Sequence, residues 1–279
     1  MGRTARTHAG GTRMRSKGGK EVISLETRDG YAVATLSRPP VNAINEEWLD
    51  RLSEIVDEVD ADAKVHVLVI RSDQASFCGG ADLKLMRERF ATEEGRADMI
   101  AFVRRIQEVY RRLEAMPAVS IAEVCGPALG GGLELALSCD FRIIADEAKV
   151  GLPEVRLGLL PGAGGTQRLT RVCGVATAKR LILGGEIVDG KEAERIGLAH
   201  WAVPAAEIAA FTDKQARSLA GLSGPALGYC KHCIEAAVHM SPDGFERELT
   251  GTNALFADPE TQKRVRAFLE GKSARRASA

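Results

Sequence analysis

The sequence has no apolar run approaching the ~20 residues that a helix needs to cross a bilayer, so no helical membrane span is expected. It has no surplus of either charge: 38 Lys and Arg balance 38 Asp and Glu, and no net field draws it to nucleic acid or an anionic membrane. Basic residues interleaved with aromatics are missing too, which argues against RNA as the main partner. The patterns G-x-x-x-x-G-K-[ST], G-x-S-x-G and a strand followed by G-x-G-x-x-G are all absent. P-loop hydrolysis, a nucleophile elbow and a dinucleotide fingerprint are therefore not expected.

An apolar signal-peptide core is lacking as well, so the six cysteines at 78, 125, 139, 173, 230 and 233 are read as reduced and intracellular. Cys230, His232 and Cys233 form a single C-x-x-C cluster without a second pair, inside a helical pattern, and no metal site is expected there. Residues 1–20 hold six Lys or Arg but no acid and no Leu, Ile, Val or Phe. A targeting helix needs an apolar face. This segment is read as a disordered basic leader outside the fold, and the cytoplasm is favoured over the mitochondrial matrix.

What is present is an ordinary globular composition, 45% apolar and 27% charged over 279 residues, enough for one large domain or two small ones. Val22–Leu25 and Tyr31–Leu36 flank Arg28-Asp29-Gly30 and predict a β-hairpin. Asn45 predicts the cap of a helix that buries Trp48, Leu52, Ile55, Val56 and Val59. Val65–Ile70 and Val119–Val124 read as strands covered on both faces, with a helix over 98–116 between them. The 98–116 helix is expected to bury Met99, Val103, Ile106, Tyr110 and Leu113. A short helix Leu133–Ser138 and a strand Phe141–Ala145 follow. Strand and helix alternate to about Val203, and from Ala205 the pattern is helical, with breaks at Gly221–Pro225, Ser241-Pro242 and Asp258-Pro259. The expected organisation is an α/β core over 21–203 and a helical region over 204–279.

Chemistry concentrates between Cys125 and Arg168. Glu134 and Glu154 each lie beside glycine-rich backbone in apolar sequence. Burial raises a carboxyl pKa, and a carboxyl tuned toward neutrality can give or take a proton. Glu134 also fits a first-turn acid complementing a helix dipole, whereas no helix is expected to account for Glu154. The Gly130-Gly131-Gly132 run and the Phe77-Cys78-Gly79-Gly80-Ala81-Asp82 turn offer N–H groups that could receive an oxyanion if they converge. Gly162-Ala163-Gly164-Gly165-Thr166 precedes a helix and could cradle a phosphate, but it lacks the Walker lysine.

These segments, with Pro40-Val41-Asn42-Ala43-Ile44-Asn45, Gly151-Leu152-Pro153-Glu154 and Leu160 to Arg168, resemble the enoyl-CoA hydratase/isomerase (crotonase) superfamily in order from about residue 22 to 270. The resemblance implies a spiral of ββα units with a helical C-terminal region that forms homotrimers or dimers of trimers. It implies an acyl-CoA thioester substrate, with no cofactor beyond the coenzyme A of the substrate and no metal. An oxyanion hole would be made by the N–H groups of Ala81 and Gly131. Glu134 would activate water and Glu154 would supply the proton, with the Gly162 N–H near that water. Asp82 and Lys84 follow the first donor, and Lys84 is a candidate contact to coenzyme A. Retention of both glutamates favours hydration of a trans-2-enoyl thioester. Isomerisation or another acyl-CoA reaction, and a non-catalytic CoA- or RNA-binding member, are the alternatives. The ending Gly271 to Ala279 departs from the family's usual basic-aromatic close.

Overall fold

Strand β4, Val119–Val124, is buried at all six positions. β3, Val67–Ser72, runs beside it and is buried at its first four. Predominantly Val, Ile, Leu and Ala in such strands is what a parallel sheet covered on both faces favours. The computed structural model describes residues 21–238, 244–261 and 263–265; the expected leader 1–20 and the break at Ser241-Pro242 lie outside them.

β1, Ile23–Thr27, and β2, Tyr31–Leu36, form the expected antiparallel hairpin, with Ile23 opposite Leu36. β2 then pairs in parallel with β3, β3 with β4, β4 with β6 (Phe141–Ala145), and β6 with β9 (Trp201–Val203), giving the order β1-β2-β3-β4-β6-β9. Parallel neighbours need long crossovers, and here each crossover visits a second layer. That layer is the small sheet of β5 (Ala128–Leu129), β7 (Val150–Gly151) and β8 (Ile187–Val188). Single bridge pairs Cys78 to Ala128 and Ile44 to Ala81 extend it. Successive passes of the chain thus leave a segment in each layer, which is the expected spiral.

Helix α1, Glu46–Ala61, is capped by Asn45, whose side chain accepts from the Trp48 N–H, and it buries the expected face. α2, Leu83–Phe90, was not expected; Asp82 caps it, and its apolar Leu83, Leu85, Met86 and Phe90 are only half-buried or exposed. α3 spans Glu93–Ala115 and is capped by Thr92, starting earlier than the expected 98. Its first turn is Glu93 and Glu94, polar residues that suit a helix N-terminus but leave no periodic signal. Met99, Ile106, Tyr110 and Leu113 are buried as expected, joined by Phe102 and Val109, while Val103 is half-buried. α4, Gly131–Leu137, and α5, Gly165–Leu183, follow, then α6, Gly190–Arg195.

Among the described residues beyond 204 the elements are helices: α7 (Ile208–Ala220), α8 (Gly224–Val238) and α9 (Gly244–Ala257). α7 packs across β3 and β4. α8 is fastened by Lys231, 7% exposed, whose Nζ donates to Asp140 Oδ2 at 2.7 Å and to the Ala118 carbonyl at 3.2 Å. The same Asp140 oxygen accepts from the N–H and hydroxyl of Ser120 on β4. Removing one partner of a buried pair leaves the other charge uncompensated. Lys231→Met is expected to lower stability in urea unfolding by about 3 kcal/mol, and an unchanged midpoint would show that α8 is held by its apolar contacts alone.

Candidate functional site

The site begins with backbone packing. The first turn of α4 lies so close to the Phe77–Gly80 turn that a Cβ on Gly132 would overlap the Cys78 carbonyl oxygen. Only glycine permits that approach. The preceding Gly130 has φ 52° and ψ −124°, a conformation that L side chains rarely adopt. It is followed at once by Gly131, the first residue of α4.

The Phe77–Asp82 turn is locked from its other side. Buried Asn42 donates through Nδ2 to the Phe77 carbonyl at 3.0 Å and to Ser72 Oγ at 2.8 Å. Ile44 N–H donates to Gly80 O at 2.9 Å, and Asp82 N–H to Ile44 O at 3.1 Å. Asp82 itself spends both oxygens, Oδ1 capping α2 and Oδ2 accepting from Arg38 at 2.9 Å. Lys84 stands exposed in the first turn of α2.

The two turns converge. A Cβ on Gly131 would sit 3.7 Å from the Ala81 nitrogen, and one on Gly80 would sit 3.3 Å from the Gly131 nitrogen. Among the described residues neither the Ala81 N–H nor the Gly131 N–H has a hydrogen-bond partner. Two unpartnered donors on adjacent turns, one at a helix N-terminus, are suited to an anionic oxygen.

Glu134 lies one turn into α4 and is 2% exposed. Its Oε1 accepts from the Ala163 N–H at 2.8 Å and the Gly165 N–H at 2.7 Å. The glycine-rich turn that reads as an anion cradle therefore holds the chain's own carboxyl, at the N-terminus of α5. Burial pushes the Glu134 pKa up to about 7. The N–H groups of Gly165 and Ala163 and the charge of Arg168 oppose the rise, and the nearby Glu154 adds to it. Sequence reasoning missed Ala163 and Gly165 as donors; their signal was the run of small residues with free amides before a helix.

Glu154 opens a one-turn 3-10 helix, Glu154–Leu157, a local element that the sequence pattern did not predict. It is half-buried, its Oε2 is enclosed without a hydrogen-bond partner among the described residues, and burial raises its pKa. A Cβ on Gly130 would lie 3.0 Å from its Oε1. Both glutamates therefore flank the start of α4. Gly162 joins the same loop, its carbonyl accepting from Gln107 Nε2 at 2.7 Å.

Volume alone does not mark this place. A cavity of about 420 Å³ between α8 and the ends of α4 and α5 includes neither glutamate. Among the described residues no three His, Cys, Asp or Glu side chains are grouped to hold a metal ion. Cys230, His232 and Cys233 lie on α8, with His232 Nε2 3.1 Å from the Ala115 carbonyl.

A model of the family described as enoyl-CoA hydratase/isomerase matches residues 26–276. The chain belongs to that family. A probable enoyl-CoA hydratase of Bacillus subtilis is 36% identical over 257 residues, 89% of this chain and 95% of the relative. A crotonyl-CoA hydratase of Syntrophomonas wolfei is also 36% identical, covering 91% of this chain and 97% of the relative. The solved structure of an enoyl-CoA hydratase from Bacillus anthracis superposes with a TM-score of 0.83 at 31% identity, covering 90% of this chain and 96% of that one. The fold is the crotonase fold expected from the sequence.

The elevated Glu134 pKa carries a stability consequence with a definite sign. Folded Glu134 keeps its proton to about 7, against 4.5 for an ordinary glutamate. The folded state thus loses relative stability as pH rises from the lower value through the higher. Glu134→Gln, which carries no charge, is expected to melt at a higher temperature than the wild type near pH 8, with the difference shrinking toward pH 5. Equal melting at both pH values would show that the pocket does not disfavour the charged form.

Proposed function

We propose that the chain is an enoyl-CoA hydratase, adding water across the double bond of a trans-2-enoyl-CoA thioester. The observation that carries this reading is the pairing of two carboxyls of raised pKa, Glu134 and Glu154, with the unpartnered N–H groups of Ala81 and Gly131. The names of the relatives favour the same reaction.

In this reading the thioester oxygen sits between the Ala81 and Gly131 N–H groups. It gains negative charge as C3 is attacked, and each fixed donor stabilises that charge by about 3 kcal/mol. Glu134 takes a proton from the attacking water while Glu154 gives its proton to C2. Burial raises the pKa of both carboxyls, toward the range in which a group can give or take a proton near neutral pH. The Gly162 N–H helps to hold the water. Asp82, tied to Arg38 and to the start of α2, fixes the turn that carries the Ala81 donor, and exposed Lys84 contacts coenzyme A. The reaction needs no cofactor beyond the coenzyme A of its substrate, and no metal. Residues 21–203 form the catalytic core and 204–279 the region that assembles a homotrimer or a dimer of trimers. The exposed Ile234 and Val238 on α8 and Leu249 on α9 support the latter.

Crotonyl-CoA is the probe, followed by loss of its enoyl-thioester absorbance. The wild type is expected to turn over, and Glu134→Gln and Glu154→Gln each to lower kcat at least about 100-fold. Because Glu134 acts as the base, the wild-type rate is expected to fall as pH drops through about 7. Double-bond migration without net hydration would replace this reading with isomerisation. Tight binding of acyl-CoA without turnover of any enoyl chain length would make the chain a binding protein.

A further inference from the structure

Gln107, Tyr110 and Glu114 stand at i, i+3 and i+7 on α3, a spacing that places them on one face of the helix. They reach two different loops of the site. Gln107 Nε2 donates to the Gly162 carbonyl at 2.7 Å, and the Tyr110 hydroxyl donates to the Gly131 carbonyl at 3.0 Å. Glu114 receives the Arg168 guanidinium through Nε at 3.2 Å and Nη2 at 2.8 Å. That fork leaves Nη1 of Arg168 aimed at the Ala163 carbonyl, 3.0 Å away. The same two loops carry the unpartnered Gly131 N–H and the Ala163 and Gly165 N–H groups that hold Glu134.

We propose that this polar stripe of α3, acting through Arg168, is a positioning frame that keeps the Gly131 donor turn and the Glu134-holding loop in register. The kinetic part of this inference rests on the hydratase reading. Arg168 is its decisive member. It is 8% exposed, and a buried guanidinium is costly unless a carboxylate is fixed beside it. Glu114 meets that need and sets the planar fork in one orientation. Tyr110 is fully buried and its hydroxyl has one partner, so the bond to Gly131 is the hydroxyl's sole task among the described residues. Packing alone would be served equally well by phenylalanine.

The frame also bears on Glu134 electrically. The charged or titratable groups that face Glu134 are Glu154, Arg168 and Tyr110. Arg168 favours the charged carboxylate, both by its own charge and by holding the loop whose N–H groups donate to it. Without Arg168 the Glu134 pKa should rise.

The test combines two readouts on Tyr110→Phe, Glu114→Gln, Arg168→Gln and Arg168→Lys. The first is the infrared carboxyl band of Glu134, assigned by its loss in Glu134→Gln and followed against pH. The second is kcat and KM for crotonyl-CoA. Arg168→Gln is expected to move the Glu134 titration to higher pH and to lower kcat about 100-fold, the scale on which small misplacements of catalytic groups act, with KM changed far less. Glu114→Gln should reproduce most of this. The double variant Glu114→Gln/Arg168→Gln should be no worse than Arg168→Gln alone, because the two act as one unit. Arg168→Lys keeps the charge but not the fork, and should restore the titration better than the rate. A folded Arg168→Gln with unmoved titration overturns the proposal, whatever its melting temperature. Should Arg168→Gln not fold, Tyr110→Phe decides: a kcat about 10-fold lower at a wild-type melting temperature supports the frame, and an unchanged kcat overturns it. Should the wild type hydrate no enoyl thioester, the hydratase reading fails by itself. The infrared titration of Arg168→Gln or, if that variant does not fold, of Glu114→Gln then still decides the frame: moved supports it, unmoved overturns it.

Discussion

Everything at the site depends on the near-contact between the first turn of α4 and the carbonyl of Cys78. That approach is open only to a residue without a Cβ at position 132. It places the Gly131 N–H beside the Ala81 N–H, and it carries Glu134, three residues further on, into the apolar interior. The close approach is supported from several directions. Asn42 ties down the Phe77 carbonyl, Gly130 N–H donates to Gly151 O at 3.0 Å, and Leu129 N–H donates to Cys78 O at 3.1 Å. A turn pinned by this many main-chain bonds keeps donors in place without help from substrate, which is the condition under which hydrogen bonds to a developing charge are most effective.

The two glutamates show how one short region can make unlike groups from like side chains. Glu134 is nearly closed off but has two N–H donors and an arginine nearby, so burial and hydrogen bonding oppose each other. Glu154 is more open, yet its Oε2 is enclosed without a partner and burial acts with little to oppose it. A carboxyl that receives N–H groups is equipped to exist as an anion; one without donors is better kept as an acid. Environment, more than residue type, makes the two carboxyls differ.

Much of the fold was legible because its strands are mostly apolar and its main helices carry a clear 3.6-residue period. Val119–Val124 and Phe141–Ala145 lie where the sequence pattern puts them, and Asn45 caps α1 as predicted. α2 was missed because it is a short helix of two turns with charged residues set among its few apolar ones, and the opening of α3 was hidden because it begins with Glu93 and Glu94. The glutamates were legible through their apolar neighbours. Their partners were not: Ala163 and Gly165 act through main-chain N–H groups, which no side chain announces. Gln107, Tyr110 and Glu114 read as helix surface and core until the loops from two other passes of the chain are seen against them. Arg168 stood at the end of a recognisable motif, but its task is set by Glu114, 54 positions earlier.

The reliance on main-chain donors has a genetic consequence. A side-chain substitution cannot delete a peptide N–H; only proline removes it. Alanine codons become proline codons by one base change, whereas glycine codons need two. Of the peptide groups concerned, those of Ala81 and Ala163 are therefore open to loss by a single base change, and those of Gly131, Gly162 and Gly165 are shielded from it by the code itself.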